Sequence, residues 1–297
     1  MQQQPRRASC IVLLRKGKHQ KELEVLMAQR SKNLRSFGGA FVFPGGVVEQ
    51  CDGPEGSPEQ SKRCGLRELF EEAGVLLTKS ARGNRTKPVE FSSPAERRSW
   101  QKKVHDHPLE FEKLVKEKNV ILATSALFHW ITFITPIMEP RRFHTDFFVV
   151  DSRYEEEGLE LDGGETVSLT WISPTAALAK NEKEEMPFLP PQYFVLSTIM
   201  RSGETPAQII ESVVKRKPLE TFLPILPHPI SMEGKELTLT YPGDEEHCDF
   251  PGKKGWRHRI KVQTPIGMNG GYRFETTLKD FALTQGEWEK VQKSSAL

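Results

Sequence analysis

Apolar residues gather in short runs along the first 180 residues of the chain, and many of these runs are rich in β-branched and aromatic side chains. Runs of this length and composition predict buried β-strands. We expect strands at residues 9–14, 23–28, 40–43, 127–134, 146–151 and 167–172. The longest apolar stretch, residues 121–138, is interrupted by His129 and Pro136, which favours a buried strand over a membrane span.

Three segments between these runs have the pattern of helices. Residues 59–73 repeat apolar positions at intervals of three and four. Residues 96–118 are polar and rich in charge, which predicts a solvated helical insertion. The segment ISPTAALAK predicts a third helix, with Ser173 as its N-cap and Pro174 in its first turn. Strands interspersed with helices in this order predict a mixed α+β fold.

Residues 181–297 have a different pattern. Proline-rich segments flank a helical stretch at residues 203–217, and hairpin-like segments follow it. The sequence contains no internal repeat. We therefore expect one domain at residues 8–180, with an insertion at residues 80–120, and a C-terminal extension of unknown role at residues 181–297.

Charge and cysteine content exclude several classes of function. The chain has 42 Lys and Arg against 40 Asp and Glu, a net charge of +2, so we expect neither nucleic acid nor a membrane surface as a partner. The four cysteines form no CxxC pair, which indicates a reducing compartment and no structural zinc site. The N-terminal apolar run, of about seven residues, is too short for a signal peptide. Selectivity must therefore come from a local site.

The clearest candidate site lies on the helix at residues 59–73. At about 100° per residue, Glu68, Glu71 and Glu72 fall within an arc of about 100° on one face. Leu66, Leu69, Phe70 and Ala73 form an apolar stripe almost opposite, which would pack on a sheet. Clustered carboxylates repel one another, and hard divalent ions such as Mg²⁺ prefer oxygen ligands. A metal site is one interpretation, and a solvated glutamate-rich face is the alternative.

The spacing of this segment resembles the box of the Nudix hydrolases, whose second half reads REUxEExGU with U apolar. The matching residues are Arg67, Glu68, Leu69, Glu71, Glu72, Gly74 and Val75. In the first half of the box, Gly53 and Glu59 fit the literal spacing. Gly46 and Glu49 are the alternative pair, with an inserted loop between them and Arg67.

An upstream signature is similar to that of the coenzyme A diphosphatases of this family, LLTxT[SA]xxxRxxxGxxxFPGG. Its spacing is kept by Leu26, Ser31, Arg35, Gly39 and the FPGG of residues 43–46, whereas Ala28 and Arg30 replace its threonines. The resemblance implies a Nudix α/β/α sandwich with a mixed sheet, an inserted helical segment and a C-terminal extension.

The resemblance also implies a reaction, the hydrolysis of the diphosphate bond of coenzyme A and acyl-CoA to 3′,5′-ADP and 4′-phosphopantetheine or its acyl form. Mg²⁺ or Mn²⁺ would be the cofactor, held by Glu68, Glu71 and Glu72. Arg67 would orient these carboxylates by a bidentate pair. The general base is left open between one of the three glutamates and a carboxylate from elsewhere, such as Glu165.

The substrate is then a small molecule whose 3′-phosphate needs a cation. Arg35 is the first candidate for that contact, and Arg30, Arg141 and Arg142 are further candidates. Gly45 and Gly46 can bring backbone close to the diphosphate. Homo-oligomerisation is left open.

The resemblance implies the peroxisome as the compartment, and the C-terminal SAL is similar to the SKL address in its first and last positions. The mitochondrion and the cytoplasm are alternatives. Two other functions stay open, hydrolysis of nucleotide sugars or other nucleoside diphosphates, and a non-catalytic nucleotide-binding Nudix protein.

Overall fold

A computed structural model describes residues 4–17, 22–34, 37–79, 86–152, 159, 161, 165–215, 222–263, 272–277 and 287–290. The central sheet contains seven strands in these residues, and all six of the strands expected from the sequence belong to it. They are β1 (Arg6–Lys16), β2 (Leu23–Arg30), β3 (Phe41–Val42), β4 (Gly45–Val47), β7 (Phe128–Ile134), β8 (Phe143–Asp151) and β9 (Thr166–Ile172). A separate hairpin joins β5 (Leu77–Lys79) to β6 (Thr86–Pro88).

The strand β1 organises the sheet. It pairs in parallel with β8 over nine residues, and all other pairings in the sheet are antiparallel, which makes the sheet mixed as expected. Its other edge is shared, since Leu14–Lys16 pair with β2 whereas Ala8–Cys10 pair with β4. The chain that leaves β2 through β3 therefore returns to β1 as the short strand containing Gly45 and Gly46.

The two faces of the sheet carry different layers because side chains alternate along a strand. Ile11 and Leu13 face α1 (Pro58–Ala73), whereas Val12 and Leu14 face the opposite layer. That opposite layer contains α4 (Pro174–Glu182), α5 (Pro190–Ser202) and α6 (Pro206–Val214). This arrangement confirms the predicted α/β/α sandwich.

The helix α1 has the terminal signals that its sequence predicts. The Ser57 side chain accepts a hydrogen bond from the Gln60 backbone N–H at 3.1 Å, and Pro58 occupies the first turn. Gly74 ends the helix with φ 69°, a left-handed conformation that costs glycine little.

The insertion differs from the solvated helix expected at residues 96–118. It forms two helices, α2 (Pro94–Asp106) and α3 (Glu110–Glu117), which are separated at His107 because the following Pro108 disfavours helical backbone there. Trp100, Val104, Phe111 and Leu114 are buried and pack in the same cluster as the apolar side of α1. The insertion is therefore part of the core next to α1, and the expectation of a solvated segment was wrong.

The C-terminal part contributes a second sheet of four antiparallel strands. These are β10 (His228–Glu233), β11 (Glu236–Thr240), β12 (His258–Gln263) and β13 (Arg273–Thr276). Its side chains share a core with α5 and the central sheet, where Phe133 packs on Phe194 at 5.2 Å and on Tyr241 at 5.9 Å between ring centroids. In the described part of the chain, no helix has both the length and the apolarity that a membrane crossing requires.

Candidate active site

The glutamates of α1 lie as the helical periodicity predicts, opposite an apolar stripe. Leu66, Leu69, Phe70 and Ala73 are fully buried against the sheet and the insertion. Glu71 and Glu72 are only 6% and 8% exposed, so the carboxylates do not form a solvated face. The alternative interpretation of this segment as a solvated helix is therefore wrong.

Arg67 is the centre of the site. Its Nη1 donates to Glu68 Oε1 at 2.8 Å and to Glu71 Oε1 at 2.7 Å, so one nitrogen holds both carboxylates. Its Nη2 also donates to the Val47 carbonyl at 2.9 Å, which ties the helix to β4. The guanidinium thus holds two of the three glutamates, through single contacts from one nitrogen and not through the expected bidentate pair.

The bidentate partner of Arg67 is Asp52, a residue that sequence reasoning missed. Arg67 Nε lies 2.9 Å from Asp52 Oδ1 and Nη2 lies 3.1 Å from Oδ2, and both side chains are almost completely buried. Asp52 ends a short 3₁₀ helix, Gln50–Asp52, where its Oδ2 also accepts from the Glu49 N–H at 2.8 Å. An acidic residue three positions after a helix cap was the available signal.

Glu72 and Glu68 instead approach the glycines of β4. The Gly45 N–H donates to Glu72 Oε2 at 3.0 Å. A Cβ added at Gly46 would lie 2.5 Å from the Glu68 carboxylate, and one at Gly45 would lie 2.4 Å from the Ser9 carbonyl oxygen. Only glycine allows the strand and the carboxylates to come this close.

The insertion covers the remaining side of the cluster. Gln101 Nε2 donates to the Glu71 carbonyl at 3.1 Å, and His105 Nδ1 lies 3.6 Å from Glu71 Oε2. The two side chains come from α2, and no sequence motif connects them to the glutamates. His105 is half exposed, so the imidazole stands between the cluster and solvent.

A second polar cluster joins the first half of α1 to the sheet. Asp146 accepts hydrogen bonds from Ser61 Oγ at 2.8 Å and Thr132 Oγ1 at 2.7 Å, and Arg7 Nη2 donates to Ser61 Oγ at 2.7 Å. Burial alone would raise the pKa of Asp146, but hydrogen bonds from His129 and Thr132 more than offset it and hold this pKa at about 2. This carboxylate stays ionised and fixes α1 on β8.

The charges of the site suit a divalent cation. Four carboxyl groups, those of Asp52, Glu68, Glu71 and Glu72, gather around the single guanidinium of Arg67 and its immediate contacts. Burial raises the pKa of Glu68 to about 7 and also raises that of Glu71, although Arg67 acts in the opposite sense on both. Buried excess negative charge is costly unless a cation compensates it.

The donor set also fits Mg²⁺ or Mn²⁺ in its chemistry. All the donors are carboxylate oxygens, and Mg²⁺ commonly uses one or two carboxylates and fills its other positions with water and phosphate. Arg67 Nη1 contacts both Glu68 and Glu71. No set of one carboxylate oxygen from each of Glu68, Glu71 and Glu72 has all three oxygens within 4.8 Å of one another. Glu68 and Glu71 thus share Arg67 Nη1, whereas Glu72 accepts the Gly45 N–H.

Arg30, a candidate substrate-binding residue, has a side-chain nitrogen without a hydrogen-bond partner among the described residues. Arg30 ends β2, where its backbone pairs with Gly39 and Ala40, and its Nε is shielded from solvent without a hydrogen-bond partner among the described residues. Arg30 lowers the pKa of the Cys10 thiol, whereas burial, Glu72 and Glu68 raise it more strongly. The charges of Arg30, Glu68 and Glu72 therefore all act on the Cys10 thiol.

The remaining candidates are Arg35, Arg141, Arg142 and the possible general base Glu165, and Arg141 is exposed. Arg35 falls outside the described residues. Arg142 Nε donates to the Thr135 carbonyl at 3.0 Å, which braces the turn between β7 and β8. Glu165 is exposed, and its carbonyl accepts from the Ser31 N–H at 2.7 Å.

Both candidate residue pairs for the first half of the sequence box lie among the described residues. Gly53 follows the 3₁₀ helix with φ 127°, and Glu59 is exposed in the first turn of α1. Gly46 packs on the Glu68 carboxylate, whereas Glu49 is exposed and caps the 3₁₀ helix. Of these four residues, Gly46 is the one in contact with the glutamate cluster.

Comparisons with known proteins agree with this architecture. A family model described as the NUDT19 Nudix domain matches residues 57–199. The crystal structure of a NUDIX hydrolase from Alicyclobacillus acidocaldarius superposes with a TM-score of 0.61 at 22% identity, covering 71% of this chain and 97% of that one. The fold is therefore that of the Nudix proteins.

Two relatives extend the similarity along the chain. The acyl-coenzyme A diphosphatase NUDT19 of Xenopus laevis is 24% identical over 292 residues, covering 80% of this chain and 75% of that protein. The putative nudix hydrolase 7 of Caenorhabditis elegans is 30% identical over 228 residues, covering 76% of this chain and 70% of that protein. With this identity over more than two thirds of both proteins, the chain belongs to the Nudix hydrolases, enzymes that act on diphosphate bonds.

Proposed function

We propose that this enzyme hydrolyses the diphosphate bond of coenzyme A and acyl-CoA, using Mg²⁺ or Mn²⁺, and releases 3′,5′-ADP and 4′-phosphopantetheine or its acyl form. The observation that carries the reaction class is the buried carboxylate cluster organised by Arg67 beside Gly45 and Gly46. The substrate class is supported by the upstream signature and by similarity to proteins named acyl-coenzyme A diphosphatases.

Residues of the chain prepare the site for an anionic substrate. Arg67 fixes Glu68 and Glu71, and Asp52 keeps Arg67 in place, so the carboxylates are positioned before substrate binds. A divalent ion held by the glutamates would supply charge neutralisation on the diphosphate oxygens and lower the pKa of a water nucleophile. One carboxylate of the cluster, or Glu165, would accept the proton of the attacking water.

Arg30 and Arg35 are proposed to recognise the part of the substrate beyond the diphosphate. Arg30 has a solvent-shielded Nε that lacks a hydrogen-bond partner in the described structure, so an incoming phosphate oxygen would satisfy it. Arg35 follows Arg30 by five positions in the sequence. A guanidinium binds a phosphomonoester bidentately, which suits the 3′-phosphate of coenzyme A.

A substrate panel tests this proposal. Purified protein is incubated with Mg²⁺ and with coenzyme A, an acyl-CoA, dephospho-coenzyme A, ADP-ribose and a nucleotide sugar, and the products are identified by mass spectrometry. We expect 3′,5′-ADP from coenzyme A and acyl-CoA as the fastest reactions. Rapid cleavage of the nucleotide sugar with no action on coenzyme A would overturn the assignment.

The contact to the 3′-phosphate has its own comparison within this panel. Arg35→Ala should weaken the use of coenzyme A by about 1.5–3 kcal/mol in kcat/KM, the usual worth of a hydrogen bond to a charged group. Dephospho-coenzyme A, which lacks this phosphate, should be affected much less. Arg273→Ala is a matched control, because it removes an exposed arginine on β13 of the second sheet. Equal losses for both substrates would mean that Arg35 contacts the diphosphate or maintains the shape of the loop, and does not bind the 3′-phosphate.

A further inference from the structure

Three side chains with different donor atoms meet at the second sheet, on elements that the glutamate site does not use. His228 begins β10, and Cys248 and Asp249 lie in the loop between β11 and β12. Cys248 Sγ is 2.9 Å from His228 Nδ1, and Asp249 Oδ2 is 2.9 Å from His228 Nε2. One donor atom from each residue lies within 4.8 Å of the other two.

The imidazole of His228 is incompletely satisfied in this arrangement. Its Nε2 is shielded from solvent, and although Asp249 Oδ2 is 2.9 Å away, the two atoms are not aligned for a hydrogen bond. Within the described residues this nitrogen has no hydrogen-bond partner. Buried nitrogen atoms rarely lack a hydrogen-bond partner, so the geometry favours a bound metal ion that the imidazole coordinates.

The loop that carries Cys248 and Asp249 is held in place by a buried carboxylate. Asp244 accepts hydrogen bonds from the His258 N–H at 2.8 Å, the Glu246 N–H at 2.9 Å and Arg259 Nε at 2.7 Å. The Gly252 N–H donates to the Asp244 carbonyl at 2.9 Å, which closes the loop. The donor atoms are therefore presented by a fixed backbone.

His247 fixes the same loop against the start of β10. Its Nε2 bonds to the Leu226 carbonyl at 3.0 Å, and its Nδ1 accepts from the Phe250 N–H at 3.0 Å. Its ring packs on that of His228, with 4.6 Å between centroids. Because both nitrogens of His247 are used, this residue positions its neighbours and is not a donor itself.

We propose that His228, Cys248 and Asp249 form a binding site for Zn²⁺. Thiolate, imidazole and carboxylate are the ligands that Zn²⁺ uses, whereas Mg²⁺ prefers oxygen donors alone, so this site differs in chemistry from the glutamate cluster. Donors bound at about 2.0–2.3 Å in a tetrahedral site lie about 3.3–3.8 Å apart. Cys248 Sγ lies against Nδ1 and Asp249 Oδ2 against Nε2 of the same His228 ring, so coordination through one ring nitrogen requires side-chain rotations that bring the three donors to that spacing.

The exposure of Cys248 and Asp249 leaves the fourth coordination position open to water. No sequence pattern predicts such a site, because His228 and Cys248 are 20 residues apart and no CxxC pair is present. Folding of β10 against the loop is what joins them.

Calorimetric titration of the full chain tests the proposal. Protein stripped with a chelator is titrated with Zn²⁺ in excess Mg²⁺, which occupies oxygen-only sites. We expect one zinc ion per chain, with affinity at least about 100-fold lower in Cys248→Ser and lower also in Asp249→Asn. Glu246→Gln is the matched control, because it changes a carboxylate of the same loop that pairs with Arg259. Unchanged affinity in Cys248→Ser would overturn the proposal.

A spectroscopic readout identifies the sulfur ligand directly. Co²⁺ added in place of Zn²⁺ should give thiolate-to-metal charge-transfer absorption that is absent in Cys248→Ser and present in Glu246→Gln. Zn²⁺ should also slow alkylation of Cys248 by iodoacetamide by at least about tenfold, because a metal-bound thiolate is a weaker nucleophile. An alkylation rate at Cys248 that is insensitive to saturating Zn²⁺ would contradict the site.

Discussion

Replacement of Asp52 by Asn perturbs the pair that holds Arg67, and its cost can be worked out from the structure. Asp52 accepts two hydrogen bonds from Arg67 and one from the Glu49 N–H, with both charged side chains 2% exposed or less. The asparagine keeps one acceptor oxygen, but its NH₂ group would face N–H donors of Arg67 or Glu49 and cannot accept hydrogen bonds from them. Loss of one partner from a buried ion pair costs about 3–5 kcal/mol.

Two features place Asp52→Asn at the lower end of that range. Arg67 keeps Glu68 and Glu71 as partners, and removal of one negative charge relieves the repulsion through which Asp52 raises the pKa values of both glutamates. We expect a loss of about 3 kcal/mol. At about 2.1 cal/mol/K per residue, the unfolding entropy of this chain is about 0.6 kcal/mol/K, so Tm should fall by about 5 °C.

Thermal unfolding followed by circular dichroism in EDTA measures this shift. Glu59→Gln is the control, because this glutamate is exposed on the same helix and its replacement should change stability by less than about 0.5 kcal/mol. A Tm for Asp52→Asn within about 1 °C of the wild-type value would refute the reasoning that the Arg67–Asp52 pair anchors the site.

Three further predictions concern pH, the glycines and the compartment. The pKa of Glu68 is raised from 4.5 to about 7 in the folded metal-free protein, which therefore retains a proton that the unfolded chain releases, so its stability should fall as pH rises through this interval. Tm measured in EDTA from pH 5 to 8 should decline less steeply in Glu68→Gln than in the wild-type protein. An equal decline in both proteins would contradict the pKa shift. Gly46→Ala should lower kcat/KM by at least about tenfold, since its Cβ would lie 2.5 Å from the Glu68 carboxylate, and unchanged kinetics would show that the contact is not needed. We also propose a peroxisomal location, which imaging of a tagged protein with a free C-terminus tests; a purely cytosolic signal that persists when the last three residues are deleted would contradict it.

Local periodicity accounts for the part of the site that the sequence predicts. A helix repeats every 3.6 residues regardless of its surroundings, so the placement of Glu68, Glu71 and Glu72 opposite Leu66 and its neighbours follows from the sequence alone. The α1 caps are equally local, because Ser57 and Gly74 act within a few residues of themselves.

Contacts across the fold explain what the sequence does not predict. Asp52 reaches Arg67 only because the loop after β4 forms a 3₁₀ helix, and His105 reaches Glu71 only because the insertion packs on α1. The helix α5 was not expected because its sequence begins with two prolines, although proline is favoured in the first turn. The same applies to His228 and Cys248, which are distant in sequence and adjacent in the structure.

The central claim is that the carboxylates of α1 drive a metal-dependent cleavage of coenzyme A, and Glu72→Gln tests it most directly. The glutamine keeps an oxygen that can accept the Gly45 N–H, so the fold should persist while the charge is lost. The measurement is the initial rate of 3′,5′-ADP release from coenzyme A across a Mg²⁺ titration, with Glu117→Gln, at an exposed position of α3, as control. Removal of a metal ligand should cost several kcal/mol, so we predict a loss in turnover of at least about 100-fold at saturating Mg²⁺. Turnover of Glu72→Gln close to that of the wild-type enzyme would contradict the account.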